Sequence, residues 1–212
     1  ASPRAVVAVV DAYNLERSLY LVVQLLESGA PLVVALNMVD AATERGVRVD
    51  AEKLEGLLGV PVVPTVARTG DGAEDLKRRL SARIEEGRGR RPLEVSYGCH
   101  LTDALGRIRE FLASRLLGAG GISSDRAALL AAEGDPRIPK LLDEPGRRLL
   151  EQRLEEESRN LEAAMGMDLQ TAVIERRWHF VSSLAGQVLS YDPSRKAAVT
   201  LSDRVDRIVT NR

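Results

Sequence analysis

The feature that most constrains the fold is an apolar run, Leu32–Leu36, that stops at Asn37 and is followed by Asp40. A continuous run of this length is typical of a strand that is buried on both faces, as in parallel sheets. Similar runs at Ala5–Val10 and Val62–Val66 alternate with segments of helical spacing. This order predicts an α/β first part, a parallel sheet of three strands joined by right-handed crossover helices.

The crossover helices carry recognisable start and stop signals. Asn14 is predicted to cap a helix that Gly29 ends, and Asp50 to cap a short helix that runs to Leu58. After the turn at residues 70–72, a helix is expected to run to about Ile84. The first predicted helix has its inward side chains at helical spacing, namely Leu15, Leu19, Val22 and Leu26.

The pattern changes after a polar, glycine-rich stretch at Glu85–Pro92, which is interpreted as a linker. We therefore divide the chain into residues 1–86 and an all-α part, residues 87–212. Inward positions predicted in the all-α part include Leu149 and Ile174. The helices expected there begin at Thr102, cover Ser124–Glu133, Glu144–Met165 and Asp168–Leu189, and end with one that Thr200 or Ser202 caps.

The two outer strands of the predicted sheet differ in character. Val62–Val66 contains Pro64, which cannot donate to a ladder and is tolerated at a sheet edge. Ala5–Val10 has neither charge nor proline, so it is expected to lie in the middle of a sheet. We interpret its missing neighbours as absent from this polypeptide, because no other strand-like run is evident after Val66. The alternative is that a later segment pairs there. The isolated chain is then expected to self-associate through residues 5–10 or to expose them to proteolysis.

Composition excludes several classes of protein. The net charge of −1 and the aromatic content of 3% give no basic face and no base-stacking platform, so no nucleic-acid partner is expected. A single cysteine, Cys99, excludes an internal disulfide, and with only His100 and His179 beside it a zinc site is not expected. No apolar stretch approaches the roughly 20 residues of a membrane span.

The spacing of Asn37 and Asp40 indicates a specific chemistry. Ligands of parallel sheets bind at the carboxyl ends of the strands. An Asp at that edge can accept two hydrogen bonds from guanine, from its N1–H and its exocyclic amine, whereas adenine would leave the carboxylate unpaired. The alternative is that these residues only form a helix N-cap after the strand.

The sequence contains no Gly-x-x-x-x-Gly-Lys-Ser/Thr loop to surround phosphates, and no Asp-x-x-Gly before the second strand to reach a metal. Residues 118–121 are glycine-rich, but they lack the Lys-Ser/Thr and join predicted helices. Hydrolysis of a nucleotide by this polypeptide alone is therefore not expected.

Four stretches together resemble one family. Residues 11–20 read Asp-Ala-Tyr-Asn-Leu-Glu-Arg-Ser-Leu-Tyr, residues 35–40 read Ala-Leu-Asn-Met-Val-Asp, and residues 58–70 contain Leu-Gly-Val-Pro-Val-Val-Pro-Thr and Ala-Arg-Thr-Gly. With the closing stretch, residues 201–212, they resemble the bacterial ferrous iron transport protein B (FeoB) family. The resemblance covers the whole chain.

The resemblance implies the C-terminal half of a Ras-like GTPase domain that binds GTP and GDP, followed by a helical domain. It implies a magnesium ion, whose ligands would lie upstream of this chain, and a ferrous iron permease beyond it. The chain would then lie at the cytoplasmic face of the bacterial inner membrane, where the helical domain couples nucleotide state to the permease. The alternative is a non-catalytic interaction module with a vestigial nucleotide site.

The resemblance also assigns roles to residues. Asn37 and Asp40 match the guanine-specificity motif, with Met38, where many GTPases have a Lys, packing on the ring. In the second guanine loop, the Ala67 backbone N–H would meet guanine O6, Arg68 adjoins it, and Val66 stands where a Ser often braces the Asp.

Overall fold

The computed structural model describes residues 3–86, 95–116 and 122–192, and these form two compact units. Residues 3–86 and 183–192 belong to the first unit, and residues 95–116 and 122–182 to the second. The sequence placed everything after residue 86 in the second domain. The structure differs because residues 183–192 belong to the first unit, within which the short strand Leu189–Tyr191 pairs with Val47–Val49.

The first unit contains the predicted α/β architecture. Strands β1 (Val6–Asp11), β2 (Leu32–Asn37) and β4 (Val62–Thr65) form a parallel sheet in the order β1-β2-β4. The helices of this unit are α1 (Leu15–Glu27), α2 (Val39–Glu44), α3 (Ala51–Leu58) and α4 (Ala73–Glu86). Every residue of Leu32–Leu36 is at most 3% exposed, because β2 has a strand on each side and helices pack on the sheet.

The predicted capping residues of the helices were only partly correct. Asp50 caps α3, since its Oδ1 accepts a hydrogen bond from the Lys53 N–H at 2.9 Å, and Gly59 ends that helix with φ of 68°. Asn14 precedes α1 but makes no side-chain cap. Its Nδ2 instead donates to Asp11 Oδ2 at 2.8 Å.

The prediction that no strand follows Val66 was wrong. A three-residue strand, β5 (Leu189–Tyr191), pairs antiparallel with β3 (Val47–Val49). Neither of these two strands was predicted. Strands of three residues are too short for the alternation of apolar and polar residues to be recognised. Within the described ranges β1 still pairs with β2 alone, and it lies at an edge of the sheet rather than in its middle.

The second unit is helical, as predicted. Its helices are α5 (Cys99–Ala113), α6 (Ser124–Ala132), α7 (Glu144–Met165) and α8 (Leu169–Val188), with a 3-10 turn at Pro139–Leu141; α8 runs on into the first unit. Helix α5 begins at Cys99 and not at Thr102, after Gly98 with φ of 74°. The linker from residue 87, residues 118–121 and the closing helix of the prediction lie outside the described residues.

The core of the second unit lies among α5, α6, α7 and the first part of α8, and includes Leu101, Ile108, Leu150, Leu161 and Val173. Leu149 and Ile174 were predicted to face inward, but they are 44% and 39% exposed. The buried apolar faces of α7 and α8 are therefore narrower than the sequence predicted. Among the described helices, none combines the length and the apolar character that crossing a bilayer requires.

Charged pairs also join these helices. Glu157 on α7 is 1% exposed and accepts two hydrogen bonds from Arg107 on α5, both at 2.7 Å. This hydrogen bonding raises the pKa of Arg107 above its usual value. Arg177 on α8 is also 1% exposed and pairs with Glu133. Removing the partner of either buried group, Glu157 or Arg177, would leave an unpaired charge inside and cost several kcal/mol.

Gly72 controls the turn between β4 and α4. It has φ of 80°, and a Cβ placed there would lie 2.2 Å from the Pro64 carbonyl oxygen. We expect Gly72→Ala to destabilise the protein by more than about 2 kcal/mol, since a left-handed alanine alone costs about 1–2 kcal/mol and the backbone must also move. Urea denaturation followed by circular dichroism measures the change.

Gly56 supplies the matched control for that substitution. It lies inside α3, and a Cβ added there would meet no atom within 4 Å beyond its own helix backbone and chain neighbours. Gly56→Ala should therefore stabilise the protein by about 1 kcal/mol through helix propensity. Equal stability of the two variants would contradict the steric role of Gly72.

Candidate functional site

The carboxyl ends of the three parallel strands bring three loops to one edge of the sheet. Asp11 of β1 is in register with Asn37 of β2, and Asn37 with Thr65 of β4. The loops that follow begin at these three positions. Because parallel strands all end at the same edge, side chains that are 26 and 28 positions apart in sequence become neighbours.

Asn37 joins the second and third loops. Its Oδ1 accepts a hydrogen bond from the Ala67 backbone N–H at 3.0 Å, and Thr65 Oγ1 lies 3.4 Å from the same oxygen. The side chain of Asn37 therefore fixes where the loop after β4 begins. The Ala67 N–H, which the resemblance assigned to guanine O6, is used by Asn37 in this structure.

Met38 has an uncommon backbone conformation. Its φ and ψ are 63° and 30°, and it is the only non-glycine residue with positive φ in the described part of the chain. An L-residue pays about 1–2 kcal/mol for this conformation. It lets α2 begin immediately at Val39, so that Asp40 falls in the first turn of that helix. The Met38 side chain is left 45% exposed beside the loop.

Asp40 is reachable from solvent. Its side chain is 34% exposed, and its Oδ2 lies 3.4 Å from Arg68 Nη2, a group on a side chain that is 80% exposed. A solvent-exposed pair of this kind contributes about 0–1 kcal/mol, so Arg68 can leave Asp40 at little cost.

The loop after β4 is held mainly by its own backbone. The Val66 N–H donates to the Asp71 carbonyl at 3.0 Å, and the Gly70 N–H donates to the Val66 carbonyl at 2.9 Å. Thr69 Oγ1 adds a hydrogen bond to Asp71 Oδ2 at 2.7 Å. Val66 itself is 8% exposed, so its side chain packs inward and presents no polar group to the edge.

The structure thus brings the residues predicted for the site together at one edge, although they come from two separate loops. Asn37 contacts Ala67 directly, and Asp40 contacts Arg68. The loop after β1 also reaches this edge, where Asp11 adjoins Asn37. At the end of the first apolar run, Asp11 is the residue expected to brace the following loop, and its two oxygens do accept hydrogen bonds there. The contact of this loop with the next one, from the Ala12 N–H to the Asn37 carbonyl, was not predicted.

The edge offers little to a metal ion. Across residues 3–86, 95–116 and 122–192, no group of three or more His, Cys, Asp or Glu side chains is placed to hold one. Mg²⁺ prefers several oxygen ligands in octahedral geometry. The magnesium ion that the resemblance implies finds no such set among these residues.

A parallel sheet with an Asn-x-x-Asp loop at its carboxyl edge, followed by a helical unit, is typical of part of a G domain with a helical extension. Two family models match the chain in this order: ferrous iron transport protein B over residues 1–80, and the FeoB cytosolic helical domain over residues 97–190. The chain belongs to the FeoB family.

Individual relatives agree with this assignment. The Fe(2+) transport protein A/Fe(2+) transporter FeoB fusion protein of Porphyromonas gingivalis is 35% identical over 217 residues, which cover 99% of this chain and 25% of the relative. The chain therefore spans about a quarter of the length of that relative. A 69-residue stretch is 58% identical to the Fe(2+) transporter FeoB of Salmonella typhimurium, and covers 32% of this chain and 9% of that protein.

Solved structures show the same fold. The cytosolic domain of L. pneumophila FeoB has a TM-score of 0.73 and 30% identity, covering 90% of this chain and 69% of that one. The mGMPPNP-bound NFeoB of S. thermophilus has a TM-score of 0.70 and 30% identity, covering 87% and 67%. The chain is thus a cytosolic part of a FeoB protein, with G-domain and helical-domain portions.

Replacing Asn37 tests the link between the two loops. Asn37→Ala removes the acceptor of the Ala67 N–H, so we expect hydrogen exchange of that amide to become about five- to tenfold faster, the equivalent of one hydrogen bond. Exchange measured by ¹H–¹⁵N NMR gives the rate. The Val66 amide, which donates to Asp71 within the same loop, serves as the internal reference. An unchanged Ala67 rate would contradict the link.

Proposed function

We propose that this chain supplies the guanine-recognising part of a GTP-binding ferrous iron transporter. The observation that carries the proposal is the Asp40 carboxylate, 34% exposed at the carboxyl edge of a parallel sheet. From there it can accept hydrogen bonds from guanine N1–H and from the exocyclic amine. Adenine offers no such donor pair, and leaving a site's polar group unpaired can cost a factor of about 10⁴ in binding.

The other residues of the edge have supporting roles in this proposal. Asn37 braces the loop after β4 and Val66 packs beneath it, while the exposed thioether of Met38 lies against one face of the base. Arg68 must leave Asp40 when the base binds. The Ala67 N–H is 3.0 Å from Asn37 Oδ1, so it can reach guanine O6 only by sharing that hydrogen or by giving up the bond to Asn37.

Binding by the base alone is weak. Two hydrogen bonds to a charged group contribute about 1.5–3 kcal/mol each, and a dissociation constant near 1 mM corresponds to about 4 kcal/mol. The sequence has no phosphate-binding loop. We therefore propose millimolar affinity and no hydrolysis for this polypeptide by itself. The S. thermophilus relatives were solved with bound GDP and with mGMPPNP, which supports a guanine nucleotide as the ligand.

The helical unit has a role of its own in the proposal. The relatives are named as Fe(2+) transporters and are longer than this chain. We propose that the second unit transmits nucleotide state toward the membrane permease at the cytoplasmic face. A purely non-catalytic interaction module remains the alternative, and the base preference below separates the two.

Asp40→Ala is the direct test of base recognition. The parent chain should bind GDP with about millimolar affinity and more tightly than ADP, and the substitution should make the two nucleotides equal. Titration calorimetry or NMR titration measures both constants. Glu52→Ala is the matched control, since Glu52 is an acidic residue in the first turn of α3, and it should keep the preference.

Two outcomes would contradict this proposal. One is a parent chain that binds GDP and ADP equally, which is the behaviour of an interaction module with a vestigial site. The other is micromolar GDP affinity in the parent, which would require contacts beyond the base.

The free edge of β1 leads to a separate proposal, self-association. Within the described ranges this strand pairs on one side only, and its Val7 and Val9 are 37% and 69% exposed. Such an edge is a template for pairing with another chain. We expect a concentration-dependent dimer in sedimentation, and Val9→Lys should weaken it because edge lysines oppose pairing.

The control for apolar exposure is Leu21→Lys, since Leu21 is 58% exposed and belongs to the helix α1 and not to a strand. This variant should associate as the parent does. A parent chain that stays monomeric at all concentrations would overturn the proposal.

A further inference from the structure

The turn that follows β1 is the part of the sheet edge to which the proposed function gives no role. Both oxygens of Asp11 are used inside this turn. Oδ1 accepts from the Tyr13 N–H at 2.8 Å, and Oδ2 accepts from Asn14 Nδ2 at 2.8 Å. The Asp11 N–H in turn donates to Ser18 Oγ at 3.2 Å. An aspartate that binds its own backbone two residues ahead fixes the conformation of a turn.

This turn contacts the base-reading segment, residues 37–45, at both of its ends. At the start, the Ala12 N–H donates to the Asn37 carbonyl at 2.9 Å. At the far end, the Arg45 guanidinium lies over the Tyr13 ring, 4.4 Å from its centroid. Met38 and Asp40 lie between these two contacts. The Asp11 turn therefore clamps the segment that carries the Asp40 carboxylate.

The segment needs such a clamp. Met38 holds a left-handed backbone with φ of 63°, and a strained residue of this kind persists only where the surrounding structure fixes it. Among the residues that the structure describes, the Asp40 side chain has a single partner, Arg68, and that contact is exposed. The orientation of the carboxylate is therefore set by the backbone of residues 37–45, and through it by the turn.

We propose that Asp11 is a positioning residue for guanine discrimination, acting on Asp40 through the turn of residues 11–14. This inference rests on the proposed guanine recognition. Asp11 does not touch the base. It holds Ala12 and Tyr13 where they fix the two ends of the segment, and Asn14 contributes by locking the carboxylate of Asp11 rather than by capping α1.

The test measures selectivity in the whole chain with two nucleotides that differ only in one amine. GMP carries the exocyclic amine that would donate a hydrogen bond to Asp40, and IMP lacks it. NMR titration gives both affinities for the parent, Asp11→Ala and Asp11→Asn. We expect the GMP/IMP affinity ratio to fall about fivefold in Asp11→Ala, since a misdirected carboxylate loses most of the roughly tenfold that a charge-assisted hydrogen bond supplies.

Asp11→Asn should rescue the ratio. Its Oδ1 can still accept from the Tyr13 N–H, and its Nδ2 can donate to Asn14 once that amide is turned over. Asp50→Ala is the control for lost stability, because Asp50 is also an aspartate at a strand-to-helix junction of the first unit and accepts a backbone N–H. It should leave the ratio unchanged. If Asp11→Ala fails to fold, Asn14→Ala takes its place, because it removes only the hydrogen bond from Asn14 to Asp11. It should also lower the GMP/IMP affinity ratio.

The experiment distinguishes failure of the proposed guanine recognition from failure of the positioning role of Asp11. A parent chain without preference for GMP over IMP would overturn the proposed guanine recognition and this inference with it. A parent preference that persists within twofold in Asp11→Ala would overturn the positioning role alone. An equal fall in Asp50→Ala would also overturn it, since the effect would then follow stability and not the clamp.

Discussion

The site depends on the burial of β2 on both faces. Its residues Leu32–Leu36 are at most 3% exposed, so the strand must lie between two neighbours and under helices. Its register is therefore fixed, because a slip of one residue would leave its backbone partners and its helix contacts mismatched. Once the register is fixed, Asn37 must end beside both Asp11 and Thr65. The meeting of three loops at one edge is thus a consequence of core packing.

The contacts at that edge are weaker than the core that positions them. Asn37 holds Ala67 through one hydrogen bond of 3.0 Å, and Arg68 holds Asp40 through one exposed pair of 3.4 Å. Each is worth about 1 kcal/mol or less. A site built this way is ordered enough to direct a carboxylate, yet its groups can exchange partners when a base arrives. The core also explains the strained backbone of Met38, since local strain is tolerated where a rigid scaffold supports it.

The sequence predicted the parts that follow from burial and from the ends of long elements. The parallel strands and most helices were found because their apolar residues recur over many positions. The pairing of β3 with β5 was not, since Ser190 and Arg48 are 142 positions apart and the strands have three residues each. Asn14 was misjudged because the Asp11 carboxylate is a better partner for its amide than a helix start. A sequence pattern describes one segment at a time, so it does not show which of two possible partners a side chain will bond to.

Specificity and affinity separate at a site of this kind. A carboxylate that accepts two hydrogen bonds from guanine rejects adenine mainly because adenine would leave it desolvated and unpaired. That penalty lowers the affinity for adenine relative to guanine, and it does so even when guanine itself binds weakly. In a whole nucleotide the phosphates carry most of the charge available for binding, and contacts to them raise the affinity for every purine alike. The edge described by Asn37, Asp40 and Ala67 can therefore decide which nucleotide is bound while contributing little to how tightly it is held.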